Sequence, residues 1–367
     1  MRIMAVLLLC GAVFAPALLA DEVRFRTNEG LVESVACEVT GWSWKEVQYK
    51  SAKGSAKVAR KDLVAVQRTS ENGTLSDKLS AAQSAMATDL AKARTLLEGE
   101  LKDASSTAVN KEEATYLLAD LALIEAGSDG RRRPTAIAAF KNYINSYKEG
   151  YFARQAYTSL AGLQRASKDV SGARETFKNM AKVGSGLDLI GSQLLGEFEL
   201  DEKQWQAAVV AFKDAAKFAG SDKAARYKAN AMQARALKGG GDTATAQSML
   251  EEIKKDEFFN DPTTAEGDEV LSIVYGTLAD ILYDKKAYQE AYEACMTAAF
   301  YCWWLQSKGE GDFLAKAFVS ARKTSVGADN WKTRGDKLEE VLAGSHSKEL
   351  KAAREILEKD KPSDTPK

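Results

Sequence analysis
The chain has one histidine in 367 residues, His346, in a polar stretch near its end. That absence leaves nothing on which to build a histidine triad, dyad or metal site. There is no Cys-x-x-Cys, no His-Glu-x-x-His and no calcium-loop pattern, which removes the commonest metal signatures. Cysteine is scarce too. Of the 4 cysteines, Cys37, Cys295 and Cys302 lie beyond the first twenty residues, and an odd number argues against a disulfide framework. Cys295 and Cys302 stand seven apart on one predicted helix, about 10 Å along its axis and too far to bridge. They read as buried free thiols. No excess of one charge exists, with 51 basic against 52 acidic residues and a net charge of −1. That balance demands neither nucleic acid nor an anionic membrane as partner. No cofactor is implied.

Long apolar runs are absent after residue 20, so no later segment is expected to span a bilayer. Residues 1–20 read as an export signal: Arg2, an apolar core from Ile3 to Leu19, and Ala20 before the cut. Leu7-Leu8-Leu9-Cys10 resembles a lipoprotein box, but Leu9 is not small, so lipid anchoring at Cys10 is not expected. The expected location is exported and periplasmic.

What the chain does have is a five-fold repeat of a small residue, a bulky one four positions on, and a core residue at seven. It reads Ala136–Phe140–Tyr143, Ala173–Phe177–Met180, Ala208–Phe212–Ala215, Ala246–Leu250–Ile253 and Ala291–Cys295–Ala298. The leading alanines are 37, 35, 38 and 45 residues apart. Twelve or thirteen residues before four of them lie Leu160-Ala161, Leu195-Gly196, Gln233-Ala234 and Leu278-Ala279, and Trp205 and Tyr288 precede two of them by three. A repeat of this length means stacked helical hairpins, in which small residues allow close approach and bulky ones fill the gap to the next hairpin.

On these residues the segment 111–306 resembles the tetratricopeptide (TPR) repeats. Its departures are a missing repeat-closing proline, an insertion at Gly127 to Arg133, and a stretched interval at Asp256 to Asp268. Pro134 suits the start of a helix instead. The region after Ala136 is also similar to repeats of two envelope families, the outer-membrane assembly lipoproteins and the Tol-Pal-associated division coordinators, which would imply a periplasm. Gly239-Gly240-Gly241 lacks a following Lys-Ser or Lys-Thr and reads as a turn between repeat helices.

Residues 21–68 differ in kind. Val23, Phe25, Val32, Val35, Cys37 and Val39 alternate loosely with polar residues, and Trp42, Trp44, Val47, Tyr49, Val58, Leu63, Val64 and Val66 continue the pattern, with turn signals between. The pattern resembles the SH3-like or Sm-like small barrels. Its second half carries Lys45, Lys50, Lys53, Lys57, Arg60, Lys61 and Arg68. Such a basic face suits an anionic glycan or headgroup, with a solvated surface as the plainer reading and nucleic acid excluded by export.

The expected class is mainly α: a TPR-like α-α superhelical solenoid preceded by a small all-β barrel. The expected segments are a signal peptide (1–20), a barrel (21–68), a linker with one long helix (69–110), five hairpins (111–306), a capping pair (307–345), and a charged helix with a polar tail (346–367). Asn110 followed by Glu113 reads as a helix-capping signal. In Phe300-Tyr301-Cys302-Trp303-Trp304, adjacent residues cannot all face inward, so most are assigned to the core, with Tyr301 or Trp304 as an exposed anchor.

The TPR resemblance implies that the first helix of each hairpin lines a concave, partner-binding face. The matching positions are Arg154, Gln155, Ser159, Gln193, Glu197, Lys228, Met232, Arg235, Thr277 and Asp280. Their mixed polarity suits a peptide or protein partner held by hydrogen bonds and charge pairs, without a deep apolar pocket. The implied function is a non-catalytic, exported interaction scaffold of the cell envelope. Two readings stay open beside it. One is a structural envelope protein that self-associates, or touches membrane or wall through the basic barrel. The other, more remote, is a glycan hydrolase using paired carboxylates such as Glu197/Glu199 or Glu251/Glu252.

Overall fold
The structure, a computed structural model, describes residues 21–27, 29–70, 73–260, 265–307, 309–324 and 328–359. The expected export signal and the polar tail lie outside the described residues. The chain divides into two compact units, the first ending at Leu187 and the second beginning at Asp188.

The first unit opens with five antiparallel strands: β1 (Asp21–Arg26), β2 (Val32–Trp42), β3 (Glu46–Ser51), β4 (Gly54–Ala59) and β5 (Leu63–Gln67). They form one sheet in the order β4-β3-β2-β1-β5. The register shifts between Val39 and Gly41 on β2, and between Arg24 and Phe25 on β1, where it pairs with β5. Such irregularities bend a sheet, and Val23, Cys37, Val39, Val47, Tyr49 and Val58 form its buried cluster. Buried residues alternate along β1, β2 and β3, at Asp21/Val23, Cys37/Val39 and Val47/Tyr49, as the sequence pattern requires; β4 buries only Val58, and β5 does not alternate.

Helices follow. The single helix expected over 75–103 is two: α1 (Asp77–Ala85) and α2 (Leu90–Lys102). The break comes from Asp89, whose carboxylate accepts the Lys92 backbone N–H at 2.9 Å and starts a new helix. Next come α3 (Ala108–Ser128), α4 (Arg133–Ser146), α5 (Ala153–Ala166) and α6 (Val170–Ala181). Thr107, not Asn110, caps α3 by accepting the Asn110 N–H. Pro134 sits in the first turn of α4 as expected.

The second unit holds α7 (Leu187–Asp201), α8 (Trp205–Phe218), α9 (Lys223–Gly239), α10 (Thr243–Lys254), α11 (Ala265–Asp284) and α12 (Tyr288–Trp304). After them come α13 (Glu310–Lys323), α14 (Ala328–Ser345) and α15 (Ser347–Lys359). The architecture is a small antiparallel β unit followed by TPR-like helical hairpins, α3/α4 through α11/α12, with α13/α14 as the terminal pair.

The repeat frame is the core of each hairpin. Every leading alanine (Ala136, Ala173, Ala208, Ala246 and Ala291) is fully buried, and so is each bulky partner to within 9% exposure. Close approach is literal at Gly196: a Cβ there would lie 2.6 Å from the Phe212 ring. Each buried apolar side chain contributes roughly 1.5–3 kcal/mol. One position recurs without a sequence signal. Five residues before the leading alanine, Lys168, Lys203, Gly241 and Lys286 all take positive φ, between 56° and 93°. The left-handed residue turns the chain from the first helix into the second, and glycine serves only once. Cys37, Cys295 and Cys302 are buried free thiols, as expected.

Glycine should be replaceable where space is open and not where helices touch. Gly196→Ala is expected to lower stability by about 1–2 kcal/mol, overpacking outweighing the gain in helix propensity. Gly162→Ala on α5, with open space around it, should raise stability by roughly 0.5–1 kcal/mol. Denaturant titration of both variants checks this pair.

Candidate functional site
Two features compete for a functional role: the contact between sheet and helices in the first unit, and a trough along the first helices of the hairpins in the second.

In the first unit the expected basic face of the sheet is partly consumed internally. Arg68, 4% exposed at its side chain, pairs with Glu113 on α3 and donates to Asn110 and to the Thr74 carbonyl oxygen. Its guanidinium lies 5.0 Å from the Trp42 ring. Arg60 stacks 4.2 Å from the Tyr151 ring and 5.0 Å from that of Trp44. Trp42 stacks on Tyr151 at 4.6 Å, and Tyr116 on Phe152 at 4.3 Å. The Trp44 N–H donates to the Glu149 carbonyl at 2.7 Å. Asn110 and Glu113 are therefore anchors for an arginine 42 and 45 residues away. Sequence proximity alone suggested a cap. The surface cations left from the expected basic face are Lys45, Lys50, Lys53, Lys57 and Lys61, with Lys57 paired to Glu46 at 3.0 Å.

Next to this clamp Glu112 is buried. It accepts from the Tyr143 hydroxyl at 2.8 Å and the Tyr151 N–H at 2.6 Å. Burial pushes its carboxyl above the usual range, and burial does the same to Glu113 despite Arg68. Both carboxylates face structural partners, so this is a rivet between sheet and helices.

The trough belongs to the second unit. Its first part is a cavity of about 410 Å³ between α9, α11 and α13, with Arg235, Glu269, Gly276, Thr277, Asp280 and Phe313 in its wall. Its second part, about 510 Å³, lies between α11, α13 and α15, with Tyr283, Asp284, Val319, Glu349, Ala353 and Ile356. Asp280, Asp312 and Lys316 line both. The Lys316–Asp280 ion pair, at 2.6 Å, crosses from α13 to α11 between the two parts. Gly276 lets Phe313 of α13 pack closely on α11 in this wall: a Cβ there would stand 2.6 Å from the Phe313 ring.

Of the ten sequence-predicted positions, Arg154, Gln155 and Ser159 lie on α5 in the first unit. Arg154 is exposed and the other two are half-buried. Gln193 and Glu197 lie on α7, half-buried and exposed. Lys228 pairs with Glu269 at 2.7 Å. Arg235, Thr277 and Asp280 are brought together in the trough, with Thr277 forming buried wall and its hydroxyl donating to the Ile273 carbonyl at 2.8 Å. Met232 is corrected to a core residue: its flexible thioether packs with Ala208, Phe212 and Ala236 between α8 and α9. Sequence reasoning missed the share of α13 and α15, and with it the apolar cavity that the mixed-polarity positions did not announce.

The aromatic cluster is corrected in part. Trp304 is 62% exposed, as one of the two expected candidates, and Cys302 is buried and Tyr301 half-buried, but Phe300 and Trp303, assigned to the core, are 55 and 59% exposed along the same side of α12. His346 stands just before α15, its ring against Gly311 of α13. Among the described residues no group of three or more His, Cys, Asp or Glu side chains could hold a metal ion, and no helix is long and apolar enough to cross a membrane.

No family model matches the chain, and no curated protein matches it. A search of solved structures returns the structure of Naa15/Naa10 bound to HypK-THB, at 14% identity and a TM-score of 0.36. That match covers 78% of this chain and 43% of the other, so the chain spans less than half the length of the protein it matches.

The clamp makes a pH-resolved prediction. Arg68→Met leaves Glu113 buried beside Asn110 and Gln83 without its cation, and should cost about 3–5 kcal/mol at pH 7. Without Arg68 the Glu113 carboxyl rises further, so the folded state holds its proton to higher pH than the unfolded chain does. The penalty is then small below the unfolded carboxyl range, where both states are protonated, and grows as pH rises through it. Denaturant melts of wild type and variant at pH 4 and pH 7 should show the smaller gap at pH 4. An equal gap would mean that the charge of Glu113 is not what Arg68 holds.

Proposed function
We propose that this chain is a non-catalytic, exported interaction scaffold of the cell envelope, which holds a protein or peptide partner in the trough of its second unit. The observation that carries the reading is the convergence of α9, α11, α13 and α15 on two cavities joined at Asp280, Asp312 and Lys316. Three of the positions chosen from the repeat frame line that trough, which is where TPR arrays engage their partners. Export follows from the apolar run at residues 3–19. The N-terminal sheet is read as an SH3-like or Sm-like small barrel.

The absence of catalysis is supported by chemistry. Asp280 is neutralised by Lys316, and Asp284 by Lys238 at 3.0 Å. A carboxylate held in an ion pair is a poor proton donor. A glycosidase needs one carboxyl kept protonated opposite a second, and the trough holds Asp280, Asp284 and Glu269 in ion pairs with lysines instead. Direct contact of the barrel with membrane or wall draws less support, because Arg60 and Arg68 are turned inward.

The bait for partner capture should begin at Asp21, since the sheet is riveted to the first helices. Reversing Lys228→Glu and Arg235→Glu changes two polar side chains on α9 and leaves the core intact. Capture from envelope extract is expected to fall roughly ten-fold or more for the reversed bait, as judged by quantitative mass spectrometry. Undiminished capture would exclude the first cavity, walled by Arg235 and Glu269, as part of the binding surface.

A further inference from the structure
The second cavity has a sign and a floor, and together they define its occupant. Its floor is apolar: Val319 and Ala353 are buried, Tyr283 is half-buried, and Ile356 stands 45% exposed at the edge. Its rim carries Asp280, Asp284, Asp312 and Glu349 against a single lysine, Lys316. Asp280 and Asp284 already have cations. Among the described residues no ion pair engages Asp312 or Glu349. They stand in the first turns of α13 and α15, where a helix N-terminus favours them. That accounts for each one alone; it does not account for both facing one apolar floor of about 510 Å³.

Resting on the scaffold reading above, we propose that this cavity receives a cationic segment of a partner protein. One bulky apolar side chain of that segment is seated on Val319, Ala353 and Ile356, and flanking Lys or Arg residues meet Asp312 and Glu349. The Lys316–Asp280 pair gives the segment a second acceptor. Both side chains are partly solvated, 46% and 37% exposed, so an incoming guanidinium replaces Lys316 at Asp280 at small cost, one exposed ion pair being exchanged for another. The apolar anchor supplies affinity and the carboxylates supply sign discrimination. The chain's own tail, Asp360-Lys361-Pro362-Ser363-Asp364-Thr365-Pro366-Lys367, has no bulky apolar residue and no net charge, so it matches neither the floor nor the rim.

The test is to pan a phage-displayed library of linear dodecapeptides on the chain from Asp21 onward, then to measure selected peptides by fluorescence anisotropy. The expected winners carry Lys or Arg around one bulky apolar residue. Asp312→Asn with Glu349→Gln should weaken them roughly ten-fold and flatten their salt dependence. Ile356→Ser, which touches only the cavity edge, should weaken them while preserving the salt dependence. Circular dichroism melts establish that each variant is folded. Enrichment of neutral or acidic peptides whose binding is lost in Arg235→Glu would overturn the cationic assignment and leave the trough standing. Competition by a synthetic 360–367 peptide would overturn it in favour of the chain's own terminus. Peptides that bind all variants equally, or no enrichment at all, would overturn both the assignment and the scaffold reading.

Discussion
Everything in the helical part depends on two helices of a hairpin approaching at a side chain no larger than a methyl group. The hydrophobic effect asks only that apolar surface be buried. The small residue decides where. At Gly196 against Phe212, the aromatic ring occupies the volume a Cβ would need. At Ala136, Ala173, Ala208, Ala246 and Ala291 the methyl is completely enclosed. With the crossing point fixed, the bulky residue four positions on projects toward the next hairpin, since residues i and i+4 share a helix face. In the second unit the first helices α9 and α11 then pack against each other. The trough is the space left between α9, α11, α13 and α15 once those contacts are satisfied, so the site is a by-product of the packing rule that builds the fold.

A different physics ties sheet to helices in the first unit. There the contact is aromatic and ionic: Arg68 beneath Trp42, Arg60 between Trp44 and Tyr151, and Glu112 under Tyr143 and the Tyr151 amide. Buried charges cost several kcal/mol each in desolvation, and they persist only when their geometry is satisfied from several directions. Asp21 meets that condition, accepting from the amides of Val39, Thr69 and Thr74. An apolar interface of the same area could slide; a buried arginine engaging a carboxylate, an amide and a carbonyl cannot. The sheet is therefore held in one register on α3, and the remaining lysines are confined to its outer surface.

Legibility followed the range of the interaction. The frame of Ala208–Phe212–Ala215 and its copies is local, with a period that survives in the chain, and each member is found in the core. The alternation along β1 to β3 is local too. Asn110 and Glu113 misled because an Asn followed by Glu at three residues has a local meaning, while their real partner, Arg68, is more than forty residues away. The break between α1 and α2 was missed because Ala82, Met86, Leu90 and Ala93 keep a helical spacing across it, and only Asp89 betrays it. Half of the trough was legible, in Arg235 and Asp280. The rest was not, because α13 and α15 depart from the repeat frame, and nothing in their spacing says which of their faces meets α11. Met232 shows the converse error: a frame position assigns a face, but whether the side chain reaches solvent depends on its neighbours' bulk.

The exposed side of α12 sharpens what the trough does. Phe300, Trp303 and Trp304 are large apolar side chains that stand in solvent on a helix whose opposite side buries Ala291, Ala294, Cys295, Ala298, Ala299 and Cys302. Spaced three and four apart, they form one stripe, and Phe300 and Trp303 are 6.3 Å apart between ring centres. Apolar exposure alone therefore cannot select a partner in this unit, because the stripe would outcompete the trough for any merely hydrophobic ligand. What the trough has and the stripe lacks is charge placed around enclosed apolar surface. An ion pair in open solvent is worth little, but beside an apolar floor that an anchor side chain dries, the same carboxylates act in a lower dielectric and discriminate more strongly by sign. The enclosure by α15 is what gives Asp312 and Glu349 that setting, so on the proposed reading α15 is the helix that supplies the specificity.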